Sequence, residues 1–387
     1  MNAEFDPIAS QVATLRSLHP RTPPSVADLQ RRIDRQRHRR VWVVAIAVCV
    51  AAVGVAAVGL AARRAAHGPV PAVRPRTGAR LITVSGAPAA LTILDADGGT
   101  TRRVPAPIDP GKGFVTVAVR QNRVVFEGSN NANSHDIFSI DLNQPGRPLL
   151  LGTEGYFVPS VDPGRVWIVS HNGLPGQTVR EVTAAGATTL AAVPLPNVIV
   201  DGATSRGLVI DSGAGLQVWD PSLRRPVATI PGDTLVATDA YTVASCTSPC
   251  PTVTLTDVRS GKHRVVSAPG GSTAFAQAGH LLRVAGAFSP DHRQLAMFAL
   301  DRPEDTEGPA AVAVIDTRTG KLAATPLAVP WPSALAWGAD SKWVFFVASP
   351  DPAAFQVGAL QPGGSPIRLA LPALPFPQPE ALAVDRG

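Results

Sequence analysis

The chain has 387 residues, of which 45% are hydrophobic and 17% charged, with 34 glycines, 38 prolines and a formal net charge of +6. That apolar fraction excludes a chain disordered throughout, and so much Gly and Pro excludes a mostly helical protein. Residues 1–80 hold 13 Arg against 4 acids, whereas the rest holds 22 Lys plus Arg against 25 acids, so the larger part lacks the electrostatic footprint of a nucleic-acid binder.

Residues 1–40 read as a basic cytoplasmic tail. Ser25 and Asp28 form a helix-start signal, after which Val26, Leu29 and Ile33 recur on one face among arginines. This pattern suits a juxtamembrane helix on anionic lipid heads, and a docking helix for a cytoplasmic partner is the alternative. Residues 41–62 form 22 consecutive residues without charge, about 33 Å of helix against a hydrocarbon core of roughly 30 Å. The reading is a single transmembrane helix held in membrane lipids, with Trp42, Arg39 and Arg40 at the interface. Six arginines within ten residues of the span on its N-terminal side place the N-terminus inside and the remainder outside, although Arg63 and Arg64 oppose that bias. The length of the apolar run and of the region before it favours an uncleaved signal-anchor over a cleaved signal peptide. Residues 63–79, rich in Ala, Pro and Arg, read as an extended linker.

From residue 80 to 387 the pattern changes to short β-type runs punctuated by Gly, Pro, Asp and Ser. One unit recurs: an apolar run ending in Asp or a substitute, a turn, then a second apolar run. Anchored on Asp95, Asp141, Thr183, Asp220, Asp257, Asp316 and Leu360, the intervals are 46, 42, 37, 37, 59 and 44. Their mean of about 44 residues suits a four-stranded propeller blade. A second signature, as in VAVRQNRVVFEG and GAFSPDHRQLAMFAL, precedes the first and supplies the other two strands. The expected fold is therefore an all-β propeller of seven four-stranded blades, with six or eight left open by the degenerate unit at Thr183. RLITVSG at 80–86 and EALAVDRG at 380–387 are the candidates for closing the ring. The 59-residue interval contains an insertion, Asp301–Gly308, with four acids in eight residues, which reads as a solvated hairpin loop, a cation-binding or partner-recognition loop being the alternative.

VIDTRTGK with ATPLAVPWPSALAWGAD, and FSPDHRQLAMF, resemble repeats of the bacterial YVTN, TolB-like and WD-repeat β-propellers. The resemblance implies architecture over residues 80–387 and is nearly silent on activity, because propellers host unrelated functions. The recurrent Asp95, Asp141, Asp220, Asp257 and Asp316 read as turn formers whose carboxylates accept backbone N–H groups.

Cys246 and Cys250 read as a local disulfide in an exported domain. No HExxH, paired metal-ligand spacing, GxSxG or phosphate loop is present in the sequence, so no catalytic residue, metal ligand or cofactor is assigned. Asp316–Lys321 is similar to the turn of quinoprotein propellers but lacks their docking Trp. A lactonase-like propeller would need acidic and amide or His side chains converging on its channel. The expectation is a membrane-anchored extracytoplasmic module that binds or scaffolds an envelope protein or ligand. The alternatives are a signalling regulator, whose layout resembles membrane anti-sigma-like proteins, and a propeller enzyme.

Overall fold

The computed structural model describes residues 76–386 apart from 86–89, 100, 108–115, 132–133, 145, 172–176, 196–197, 271–273, 276–285, 301–309, 328–333, 352–353, 370 and 372–381. The tail 1–40, the span 41–62 with Trp42, Arg39 and Arg40, linker residues 63–75 and the acidic segment Asp301–Gly308 lie outside the described residues. Among the described residues no helix is long and apolar enough to cross a membrane. The strands fall within one compact unit, Val73–Gly387.

Seven antiparallel sheets follow one another along this unit. Blades 2 to 7 span 117–152, 155–195, 199–229, 234–267, 274–326 and 334–368, and in all of them but blade 6 neighbouring strands are consecutive in the chain. The first strands of successive blades touch: Gly155–Pro159 meets Ile199–Thr204, which meets Thr234–Thr238. Those edges therefore surround the axis, and the sheets radiate outward as a seven-bladed β-propeller. Blade 1 closes the ring with both ends of the unit. Ala383–Arg386 supplies its innermost strand and pairs with Ala79–Ser85, in the register Arg80 with Asp385 and Leu81 with Val384. Both segments expected to seal the ring thus meet in one sheet, leaving it no open seam.

The packing explains the sequence pattern. Seven separate apolar cores lie between adjacent blades. Because side chains alternate along a strand, each blade feeds the cores on both sides. In Gln294–Leu300, Leu295, Met297 and Ala299 face blade 5, while Ala296, Phe298 and Leu300 face blade 7. Val344–Asp351 likewise sends Phe345 and Val347 toward blade 1, and Val344, Phe346 and Ala348 toward blade 6. Burial on both faces is why such strands read as continuous apolar runs. Phe126 is fully buried and stacks on Phe138 at 5.8 Å between centroids; truncating a core Phe of this kind costs about 3–5 kcal/mol.

Every repeat anchor, from Asp95 to Leu360, is the last residue of the third strand of its blade. The 59-residue interval holds a further feature besides the expected insertion at Asp301–Gly308, which lies outside the described residues. The inner strand position of blade 6 is filled by two short pieces, Ala274–Phe275 and Gly286–Phe288, both paired with Gln294–Leu300 and separated by 276–285. An inner edge tolerates this interruption because each piece completes its hydrogen bonds on the same neighbour.

Candidate functional site

The blade geometry sorts the loops onto two ends. Turns between first and second strands, and between third and fourth, share one end; the remaining loops lie at the other. The anchoring aspartates sit at the first end, in the outer turns. Asp95 Oδ1 accepts from the Asp97 and Gly98 amides at 2.9 and 3.0 Å, and Asp141 Oδ1 from those of Asn143 and Gln144 at 2.8 and 3.3 Å. Asp220 takes those of Ser222 and Leu223 at 2.8 and 3.2 Å, and Asp257 those of Arg259 and Ser260 at 2.8 and 2.9 Å. Asp316 accepts from the Thr319 amide and hydroxyl at 2.6 and 2.7 Å. The Ser222 hydroxyl bond holds the Asp220 carboxyl below its ordinary range, the Ser260 amide does so for Asp257, and the Thr319 hydroxyl for Asp316. In the degenerate blade 3 unit, Thr183 Oγ1 accepts the Ala187 amide at 3.0 Å in the same role. Leu360 has no such oxygen, and Gly363 at φ 77° helps shape that turn instead.

The site lies inward of these turns. A cavity of about 750 Å³ opens at the same end, lined by Arg80, Val384 and Asp385 of blade 1 and Val119, Gln121, Asn122 and Asn143 of blade 2. Pro163 of blade 3, Pro290 of blade 6, and Trp337 and Ala339 of blade 7 complete it. Residues of five blades meet in one space only around the axis, so this is the mouth of the central channel.

Its polar groups are fixed by the fold. Asp385 is buried and paired with the Arg80 guanidinium across the closing ladder. The Gln121 carboxamide lies against Gly164, where a Cβ would come within 2.9 Å of Gln121 Nε2. Asn122 Nδ2 is 3.4 Å from Asp141 Oδ2, which ties the inner turn of blade 2 to its outer turn. Trp337 is buried and donates its indole N–H to the Ala287 carbonyl at 2.8 Å, presenting an apolar surface to the cavity. Beside the mouth, loss of water around the Arg120 guanidinium brings its pKa down to about 10, opposed by the Asp162 charge.

Two charge clusters flank the mouth. In blade 3, Arg165 bridges Asp162 and Glu181 at 3.1 Å each, and Ser160 and Thr189 hydroxyls donate to Glu181 at 2.7 and 2.8 Å. Between blades 5 and 6, Asp239 Oδ2 lies 3.4 Å from His292 Nδ1. Burial pushes the Asp239 carboxyl up, against the Tyr241 and Thr242 amides and the His292 charge that favour its ionised form. Arg259 lies 3.6 Å from the centroid of the Tyr241 ring in the same cluster.

Cys246 and Cys250 form a disulfide at the opposite end, with Cα atoms 5.2 Å apart and both residues buried. The Cys250 carbonyl accepts the Phe275 amide at 3.0 Å, which joins the bridged loop to the first inner piece of blade 6. Among the described residues no group of three His, Cys, Asp or Glu is placed to hold a metal ion. Sequence reading missed Arg80, Asp385, Gln121, Asn122 and Asn143. A signal existed for two of them: the segments expected to close the ring carry an Arg and an Asp, which an antiparallel pairing brings together.

No protein-family model matches the chain, and no curated protein matches it. Solved structures do match. A periplasmic gluconolactonase of Pseudomonas aeruginosa superposes with TM-score 0.53 at 16% identity, covering 79% of this chain and 98% of that one. A structure from a study of two prolyl endopeptidases gives TM-score 0.52 at 14% identity, covering 80% of this chain and 49% of that one. TolB of Acinetobacter baumannii gives TM-score 0.47 at 13% identity, over 80% and 67%. At these identities the likeness is one of fold, and the chain spans about half the length of the endopeptidase chain.

Proposed function

We propose that the chain is a membrane-tethered binding module that holds a small polar ligand, or a short polar segment of an envelope protein, in the mouth of its propeller. The observation that carries this reading is the lining of the cavity. Three carboxamides offer donors and acceptors, Arg80 and Asp385 offer a neutralised charge pair, and Trp337 and the prolines supply apolar walls. A concave apolar site with a few fixed polar groups is suited to selective binding. In this reading residues 41–62 anchor the chain, the N-terminus is cytoplasmic and the propeller faces the envelope. Protease added to intact cells should then remove the propeller and leave the tail.

The same lining supports a second reading. Asp385 with three amides at the channel meets part of what a lactonase-like propeller needs, and the fold is shared with a gluconolactonase. The two readings separate on turnover. Binding predicts that glucono-δ-lactone incubated with the full-length chain is consumed at the spontaneous rate. Consumption above that rate, abolished by Asp385→Asn, would replace binding with hydrolysis.

A further inference from the structure

We infer that the outer turns of blades 4, 5 and 6 form a basic rim that docks on the anionic surface of a lipid bilayer. The inference rests on the anchor reading, and three observations carry it.

The first is charge. From the last residue of the third strand to the third residue of the fourth, the turns of blades 4 to 6 hold seven cations against three aspartates. The corresponding segments of blades 1 to 3 hold three arginines against three aspartates. The cations Arg224, Arg225, Lys262, Arg264, Arg318 and Lys321 are all exposed, and among the described residues none of them is in an ion pair. Asp220, Asp257 and Asp316 turn their carboxylates into their own turns. Arg264 donates to the Thr317 and Arg318 carbonyls, which fixes one guanidinium across the seam between blades 5 and 6.

The second observation is apolar. Leu223, 54% exposed, stands at a turn tip directly before Arg224 and Arg225. Tyr241, 37% exposed, stands on the same end of blade 5. An apolar tip and an aromatic among cations is the composition that settles at a headgroup interface.

The third is where the chain enters. Ala79 begins the second strand of blade 1, and second strands start at the end that carries the rim. The expected span ends at residue 62, so residues 63–78 reach at most about 55 Å when fully extended. The tether joins the propeller on the basic face and keeps the local concentration of bilayer surface high, which lets weak contacts of each cation count together. The chain enters on the basic face for either orientation of the span.

The test is amide hydrogen exchange on the full-length chain reconstituted in nanodiscs of phosphatidylcholine, alone or with roughly 30% phosphatidylglycerol. Docking predicts that peptides covering 220–225 and 257–264 exchange at least about threefold more slowly in the anionic discs, while 95–103 and 141–149 are unchanged. The protection should vanish in about 0.5 M salt and in the variant Arg224→Glu, Arg225→Glu, Lys262→Glu, Arg318→Glu, whose melting temperature serves as the folding control. Equal exchange in both discs, with the chain retained in them, overturns the docking and spares the anchor. A chain that stays with neither disc overturns both. Protection by soluble polyglutamate, without a difference between the discs, assigns the rim to a soluble polyanion and overturns the bilayer as its occupant.

Discussion

Blades 1 to 3 and blades 4 to 6 are built on one repeat, yet their outer turns carry different net charge at the same end of the ring: three arginines against three aspartates in the first group, seven cations against three aspartates in the second. In the first group Arg80, Arg123 and Arg165 are paired with Asp385, Asp141 and Glu181. In both groups the outer-turn cations stand exposed beside aspartates engaged with their own amides, but the second group has an excess of cations there. The blade requires an oxygen at the end of the third strand and apolar residues on both faces. It leaves the next few turn positions open, and a ring can therefore acquire a charge-balanced side and a basic side without any change of fold.

The sharpest way to break this comparison is to unpair the first side. Glu181→Ala should cost about 2–4 kcal/mol, because Arg165, Ser160 and Thr189 lose a shared buried partner; urea unfolding measures it. Arg80→Ala should cost about 1–3 kcal/mol by removing the guanidinium paired with the buried Asp385, read as a lower melting temperature together with weaker ligand binding. Asp316→Ala removes a turn cap from the second side and should cost about 1 kcal/mol.

Acid titration tests the caps as a group. The folded pKa values of Asp220, Asp257 and Asp316 lie below the ordinary value. The unfolded chain therefore binds more protons in that window, so their contribution is present above about pH 4 and is lost as pH falls through the folded values. Asp239, shifted upward, contributes with the opposite sign: its stabilisation is full below its unfolded pKa and lost as pH rises through the folded one. Melting temperature against pH should fall on acidification, and more gently in the triple Asp→Asn variant. The smallest effect belongs to the rim: Lys262→Ala should shift stability by no more than about 0.5 kcal/mol, and a larger loss in thermal melts would show that the rim is structural.

The blades were legible in the sequence because their determinants are local. An alternating run, a terminal Asp and a turn lie within some fifteen residues, and even the substitute at Thr183 keeps an oxygen where the turn needs one. The closing strands were legible as leftovers, Ala79–Ser85 and Ala383–Arg386, which lacked partners elsewhere. The cavity was not legible. Asp385, Gln121, Pro163 and Trp337 come from separate blades, and only closure of the ring brings them together. The split inner strand of blade 6 was hidden for a related reason: Ala274–Phe275 and Gly286–Phe288 are too short to give a period of their own.

The most direct test of the channel mouth as a binding site is saturation-transfer NMR on the detergent-solubilised full-length chain with a panel of mono- and disaccharides and short peptides, beside the Arg80→Ala, Asn122→Ala double variant. The account predicts transfer to at least one probe in the native chain, its loss in the variant, and probe resonances that stay constant with time. Equal transfer in both proteins, or probe signals that decay into product signals, would contradict it.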